Sequence, residues 1–177
     1  TVLRKKNKPS GVHSDKARGK VQAKVKKTKY KHTSLGVVLE NDIKFDKKKK
    51  PSFIWPIKGN VVSSFGVKSK GLRNDGINIG ADRGTPVLAS ERGIVVYAGN
   101  ELRGFGKLLL IKHPGGWLTA YAHNEELLVK RGEILRRGQK IATVGSTGNV
   151  SSPQLHFEIR FGKIAKDPRR FIKLRLS

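Results

Sequence analysis

Gln154-Leu155-His156-Phe157-Glu158-Ile159-Arg160 alternates polar and apolar residues without a break. On a strand, side chains two residues apart share a face. Gln154, His156, Glu158 and Arg160 therefore form one polar row, and Leu155, Phe157 and Ile159 form an apolar row behind it. Such a strand builds core with one face and offers polar groups to a groove with the other. Tyr121-Ala122-His123 follows the same logic elsewhere in the chain. A single histidine at either place has an ordinary role as a satisfied polar residue near a strand edge.

The neighbouring text is also made of short strands. Phe53-Ile54-Trp55, Val61-Val62, Val87-Leu88-Ala89, Ile94 to Tyr97, Lys107 to Ile111 and Trp117 to Tyr121 are apolar or alternating runs, separated by glycine-containing turns. Short strands with glycine-rich turns predict an all-β fold of antiparallel β-sheets. Helix is expected only as a turn or two, at Glu125–Lys130 and near Pro168–Ile172. No internal repeat is visible.

Pro51 marks the expected domain boundary. Residues 1–50 carry 17 Lys/Arg against 4 Asp/Glu, a net +13. Residues 51–177 carry 21 against 9, a net +12. The first 34 residues hold few large apolar side chains, so they cannot bury enough surface to offset chain entropy. Residues 1–50 thus read as a flexible basic linker. Within it, Leu35 to Leu39, the polar Glu40-Asn41-Asp42, and Ile43 with Phe45 read as a short hairpin over 35–45. The chain begins at Thr1 and contains no Met, which reads as a processed product.

The total charge of +25 calls for an anionic partner or a long-range field that attracts one. With no cysteine, disulfides and thiolate metal sites are excluded. No run is apolar enough to span a membrane as a helix. Nucleic acid is not the expected partner, because the predicted strands carry no basic-aromatic array.

Eight stretches, in order, give the text a family resemblance. They are Trp55-Pro56 with Gly59 and Phe65-Gly66; Gly76-Ile77-Asn78-Ile79; Gly84-Thr85-Pro86-Val87; Gly93-Ile94-Val95 with Tyr97-Ala98-Gly99; Tyr121-Ala122-His123; Gly138 to Ala142; Gly145-Ser146-Thr147-Gly148; and Leu155 to Arg160. Residues 52 to about 172, within the expected domain 51–177, resemble the LytM or lysostaphin-type zinc endopeptidases of bacterial cell walls. The resemblance implies an open groove between sheets. It also implies a metal site built from His-x-x-x-Asp and the second His of a His-x-His, assisted by that pair's first His and a further His in Tyr-x-His.

On this chain the first motif falls on Asn74 and Asn78, and the His-x-His falls on Gln154 and His156. His123 occupies the Tyr-x-His position. Two of three ligand positions and one of two assisting histidines are thus amides. An amide oxygen is a poor zinc ligand and brings no charge. Without the ion, no bound water becomes a nucleophile at neutral pH, and Gln154 does not titrate. The expectation is a degenerate domain with no zinc cofactor and no catalytic residues.

Some members of the family with such degenerate domains activate murein hydrolases. By that resemblance the partner is a periplasmic N-acetylmuramoyl-L-alanine amidase, engaged through the old groove by Asp75, Asn78, His123, His156 and Arg160. Tyr97 is a weaker candidate. Arg160 is the preferred anchor, since a guanidinium can hold a carboxylate through two hydrogen bonds. The alternative role for Arg160 is a surface salt bridge with Glu158 or a neighbour. The resemblance further implies a periplasmic protein anchored at the outer membrane, with peptidoglycan contacted through the basic surface or a LysM module upstream of Thr1.

Overall fold

The structure, a computed structural model, describes residues 30–33, 36–39 and 51–173. Its centre is β10 (Trp117–Leu127), eleven residues long. The first half of β10 lies between β9 (Lys107–Lys112) and β13 (Gln154–Phe161), and its second half pairs with β12 (Lys140–Val144). Outward from β9 come β8 (Gly93–Gly99) and β11 (Ile134–Leu135); outward from β13 come β6 (Ile77–Gly80) and β3 (Asn60–Ser63). β7 (Pro86–Leu88) extends the sheet from β12, and β14 (Ile164–Lys166) pairs with β13. Every pairing between these strands is antiparallel. The all-β expectation holds.

Cross-strand neighbours share a face, so the register separates core from groove. Tyr121 faces Leu109 and Phe157, and Phe157 faces Ile77. These residues are fully buried and join Ile79, Ile111, Leu155 and Ile159 in the main core. On the opposite face, Ala122 lies beside His156, which lies beside Asn78, while Ala120 lies beside Glu158. The polar row read from the sequence is thus the groove face of β13, floored by alanines next door.

Two details differ from expectation. Glu125 to Leu127 is the end of β10, not a helical turn, because β12 supplies a ladder there, with Leu127 opposite Ala142. Tertiary pairing overrides the weak local helix preference. The second helical region does form a single 3₁₀ turn over Pro168–Arg170, with the Asp167 side chain accepting from the Arg169 N–H. In the basic segment, β1 (Tyr30–Thr33) pairs antiparallel with β2 (Gly36–Leu39), Tyr30 opposite Leu39. The described pairing therefore joins 36–39 to residues upstream. The turn and second arm expected at 40–45 lie outside the described residues.

Candidate functional site

β6 and β13 bring the degenerate positions together. The small hairpin of β4 (Gly66–Val67) and β5 (Arg73–Asn74) delivers Asn74 to the same place. Gly76 makes the approach tight: a Cβ there would lie 2.2 Å from the Phe157 carbonyl oxygen, so only glycine fits against β13.

The amides form one chain of hydrogen bonds. Asn74 Nδ2 donates to Asn78 Oδ1 at 2.9 Å and to Ser63 Oγ at 3.0 Å. Asn78 Nδ2 donates to Gln154 Oε1 at 2.8 Å, and His156 Nδ1 lies 3.1 Å from Asn78 Oδ1. Backbone groups at both ends fix the direction. The Gly76 N–H donates to Asn74 Oδ1 at 3.0 Å, and Gln154 Nε2 donates to the Ser152 carbonyl at 3.2 Å. A peptide N–H only donates and a carbonyl only accepts. Gln154 must therefore present its oxygen to Asn78, and Asn78 must present its own oxygen to Asn74 and His156.

Beyond His156 the chain becomes ionic. His156 Nε2 lies 3.0 Å from Glu158 Oε1, and Arg160 Nη1 donates to Glu158 Oε2 at 2.6 Å. Burial works against ionisation of Glu158, but the hydrogen bonds from His156 and Arg160 outweigh it and hold its carboxyl below the ordinary glutamate value. Both His156 ring nitrogens thus face side-chain oxygens, Nδ1 that of Asn78 and Nε2 that of Glu158. Catalytic zinc needs three nitrogen, sulfur or carboxylate donors and an open position. The three positions supply one imidazole, so engaged, and two neutral amides. Among the described residues, no group of three or more His, Cys, Asp or Glu is arranged to hold a metal ion.

The other sequence candidates fall around this chain. Asp75 accepts from Arg73 Nε at 2.9 Å and lies 3.7 Å from Arg160. Arg160 is already engaged by Glu158, and its Nη2 donates to the Lys163 carbonyl at 2.9 Å. Of the two roles weighed for Arg160, the ion pair with Glu158 is the one formed. Tyr97 stands away from the chain: it packs on Leu108, Ala120 and Ala122, and its hydroxyl bonds Glu101.

His123 comes within 6.1 Å of His156, ring centre to ring centre. Two residues of β10, Ala122 and His123, stand opposite one of β9, Leu108, between the pairs Tyr121–Leu109 and Asn124–Lys107, so the strand carries a bulge. His123 sits in it with φ 65°, the left-handed region that non-glycine residues seldom adopt. Without the bulge, strict alternation would send position 123 toward the core beside Tyr121. Asn124 staples the distortion, its Nδ2 donating to the carbonyls of Lys107 and Tyr121 at 2.7 and 2.8 Å. Thr147 completes the cradle: its carbonyl accepts from His123 Nδ1 at 2.9 Å, and its hydroxyl donates to the Asn124 carbonyl. Nε2 keeps its lone pair. Burial pushes the His123 imidazole below its ordinary value, opposed by the bond to Thr147 and reinforced by His156. His123 thus presents a neutral acceptor to the groove.

Sequence reasoning did not find Ser63, Thr147 or Phe105. Phe105 lies 6.0 Å from the His156 ring, and its carbonyl accepts the His123 N–H. Their contacts join loops distant in sequence, and no local pattern marks them. Glu158 was legible, since it lies two residues from His156 on one strand. Exposed apolar side chains lie on the segments around the groove: Val67 and Leu72 on the hairpin that leads to Asn74, and Leu102 with Phe105 on the loop before β9.

An antiparallel sheet that gathers His, Asn and Gln at these positions is a LytM-type peptidase domain by architecture. The chain belongs to peptidase family M23, whose model matches residues 72–168. It is similar to the cell division protein DipM of Caulobacter vibrioides, 52% identical over 118 residues that cover 67% of this chain and 19% of that protein. It is also similar to the murein hydrolase activator NlpD of Escherichia coli, 47% identical over 121 residues that cover 68% of this chain and 31% of that one. The chain therefore spans less than a third of either relative. Among solved structures, a zinc-containing peptidase from Vibrio cholerae aligns with TM-score 0.62 and 29% identity, covering 71% of this chain and 41% of that one.

Proposed function

We propose that this domain is a non-catalytic LytM factor that binds and activates a periplasmic N-acetylmuramoyl-L-alanine amidase for septal peptidoglycan splitting and daughter-cell separation. One observation carries the reading: Asn74, Asn78, Gln154 and His156 satisfy one another in a hydrogen-bond chain fixed at both ends by backbone. That donor set does not fit zinc. The names of the two relatives support a role in wall remodelling and division.

What remains is a groove with a polar floor and apolar side chains exposed on the segments around it. Exposed apolar patches rimmed by polar residues mark protein contact surfaces. His123, whose Nε2 accepts, is the foremost partner-facing group; Asn78 and His156 lie on the floor beside it. Arg160 and Asp75 act chiefly by positioning Glu158 and the hairpin, and their outer edges contribute to the rim. Activation requires only that the domain bind the open amidase better than the closed one, since that difference alone shifts the population.

The test is dye release from labelled peptidoglycan by the purified chain, alone and with a periplasmic amidase, with zinc content measured on the same sample. Release only in the mixture, without zinc, is the expected result. Release by the chain alone, abolished by chelation, would mean an active endopeptidase with a non-standard site. Amidase binding without stimulation would mean a docking adaptor.

A further inference from the structure

A second concavity, of about 890 Å3, lies where the chain enters the domain, and none of its lining residues belongs to the groove. Its walls include Ile54, Trp55, Ile57, Pro86 and Leu88, and its lining also carries three cations, Lys58, Arg137 and Lys173. This volume is in the range of small-molecule sites, about 300–1,000 Å3. Lys58 and Lys173 are exposed and form no side-chain hydrogen bond or ion pair with another described residue. Arg137 rests lightly on the Ser52 carbonyl at 3.2 Å and lies 4.0 Å from Glu91.

The backbone here decides which kind of ligand fits. β7 pairs with β12 along one edge. On its other side, the Leu88 N–H donates to the Pro56 carbonyl at 2.8 Å, and the Ile54 N–H donates to the Ser90 carbonyl at 2.9 Å. β7 therefore offers no open ladder to an added peptide strand, whose own amides would stay unpaired against apolar walls. An alkyl chain has no such groups to satisfy. Three cations around an apolar trough complement a hydrocarbon tail with an anionic head. Ser52 lines the same cleft, and it is where the segment of net +13 joins the domain. Basic residues next to an apolar insertion point add attraction to an anionic lipid surface.

We propose that this cleft receives an acyl chain of an anionic phospholipid, with the lipid phosphate held by Lys58, Arg137 and Lys173. The domain would then lie on a membrane surface by this side and leave its groove open to a partner.

Trp55 reports on occupancy directly. The full chain is titrated with phosphatidylglycerol vesicles whose acyl chains are brominated, with unbrominated phosphatidylglycerol and phosphatidylcholine as controls. Tryptophan emission should fall only with the brominated anionic lipid, and Trp55→Phe should remove the response. Leu88→Glu should raise the lipid concentration for half-quenching by roughly tenfold or more, while co-sedimentation persists through the basic segment. If that variant does not fold, Lys58→Glu with Lys173→Glu at the exposed rim should weaken quenching by a similar factor. Sedimentation without quenching, or quenching unchanged in these variants, overturns the proposal and leaves surface electrostatics alone. Occupancy of the cleft by an acidic apolar peptide, with no response to brominated lipid, also overturns it in favour of a protein partner.

Discussion

Asn78→Ala strikes the middle of the amide chain. It removes the acceptor shared by Asn74 Nδ2 and His156 Nδ1 and the donor that serves Gln154 Oε1. A typical hydrogen bond contributes a net ~0.5–1.5 kcal/mol, and stranding a buried partner costs more. Asn78, Gln154 and His156 are half-buried, so water reaches part of what is exposed. Three bonds at the middle of that range give a loss of about 2–3 kcal/mol. This is a large share of the ~5–15 kcal/mol that stabilises an ordinary domain. Urea unfolding followed by tryptophan emission measures it, and the slope with denaturant should not change. A double-mutant cycle with Gln154→Ala should return a coupling of roughly 0.5–1.5 kcal/mol, because the two side chains share a bond. A loss below about 0.5 kcal/mol with no coupling would refute the reasoning, since it would mean that the amides are solvated separately.

Three further outcomes are expected. The triple change Asn74→His, Asn78→Asp and Gln154→His restores the family's donor set, and should bring stoichiometric zinc by metal analysis where the unaltered chain has none; zinc uptake by the unaltered chain would contradict the reading. Asn124→Ala removes both bonds that staple the β10 bulge, so stability should fall by about 1–3 kcal/mol and amidase stimulation should fall with it; full stimulation by a folded variant would mean that the His123 geometry is not used. His113 is buried, which lowers its pKa to about 4 despite its bond to the Arg92 carbonyl. The unfolded chain therefore takes up a proton near 6.5 while the folded one stays neutral, so stability is full above about 6.5 and lost as pH falls toward about 4, by about 3 kcal/mol. Thermal midpoints across that range should show the loss, and His113→Gln should flatten it; an unchanged slope would assign the loss to other groups.

Much of the fold and part of the site are legible in the sequence, and the division has a physical basis. Period-two alternation at 154–160 sets which side chains share a face, and the structure returns the same two rows. The ligand positions are legible only through the family resemblance, which carries its motifs onto Asn74, Asn78 and His156 residue by residue. The bulge at His123 is not, because a left-handed residue inside a strand follows from long-range contacts, of His123 with Thr147 and Phe105 and of Asn124 with Lys107, not from local pattern. The state of Arg160 is not legible either. Its polar position allows both an outward anchor and an inward ion pair, and the choice depends on Glu158 being buried beside Ala120. The end of β10 is not legible for the same reason: Glu125 to Leu127 has the composition of a helix start, and only the presence of β12 makes it a strand.

The two halves of the site follow opposite designs. At Asn74, Asn78 and Gln154, two ligand positions and one assisting position of the family carry amides that satisfy one another through hydrogen bonds. At His123 a non-glycine residue is held at φ 65°, which costs on the order of 1–3 kcal/mol and persists only where its surroundings over-determine it. Asn124 and Thr147 supply that over-determination while leaving the Nε2 lone pair toward the groove. A fold that needed His123 only for packing would lose nothing by letting glycine take the position, since glycine adopts this conformation without a steric penalty. His123→Gly should therefore be neutral or stabilising in urea unfolding while amidase stimulation is lost. A variant that is less stable yet stimulates fully would show that the imidazole serves the fold and not the partner.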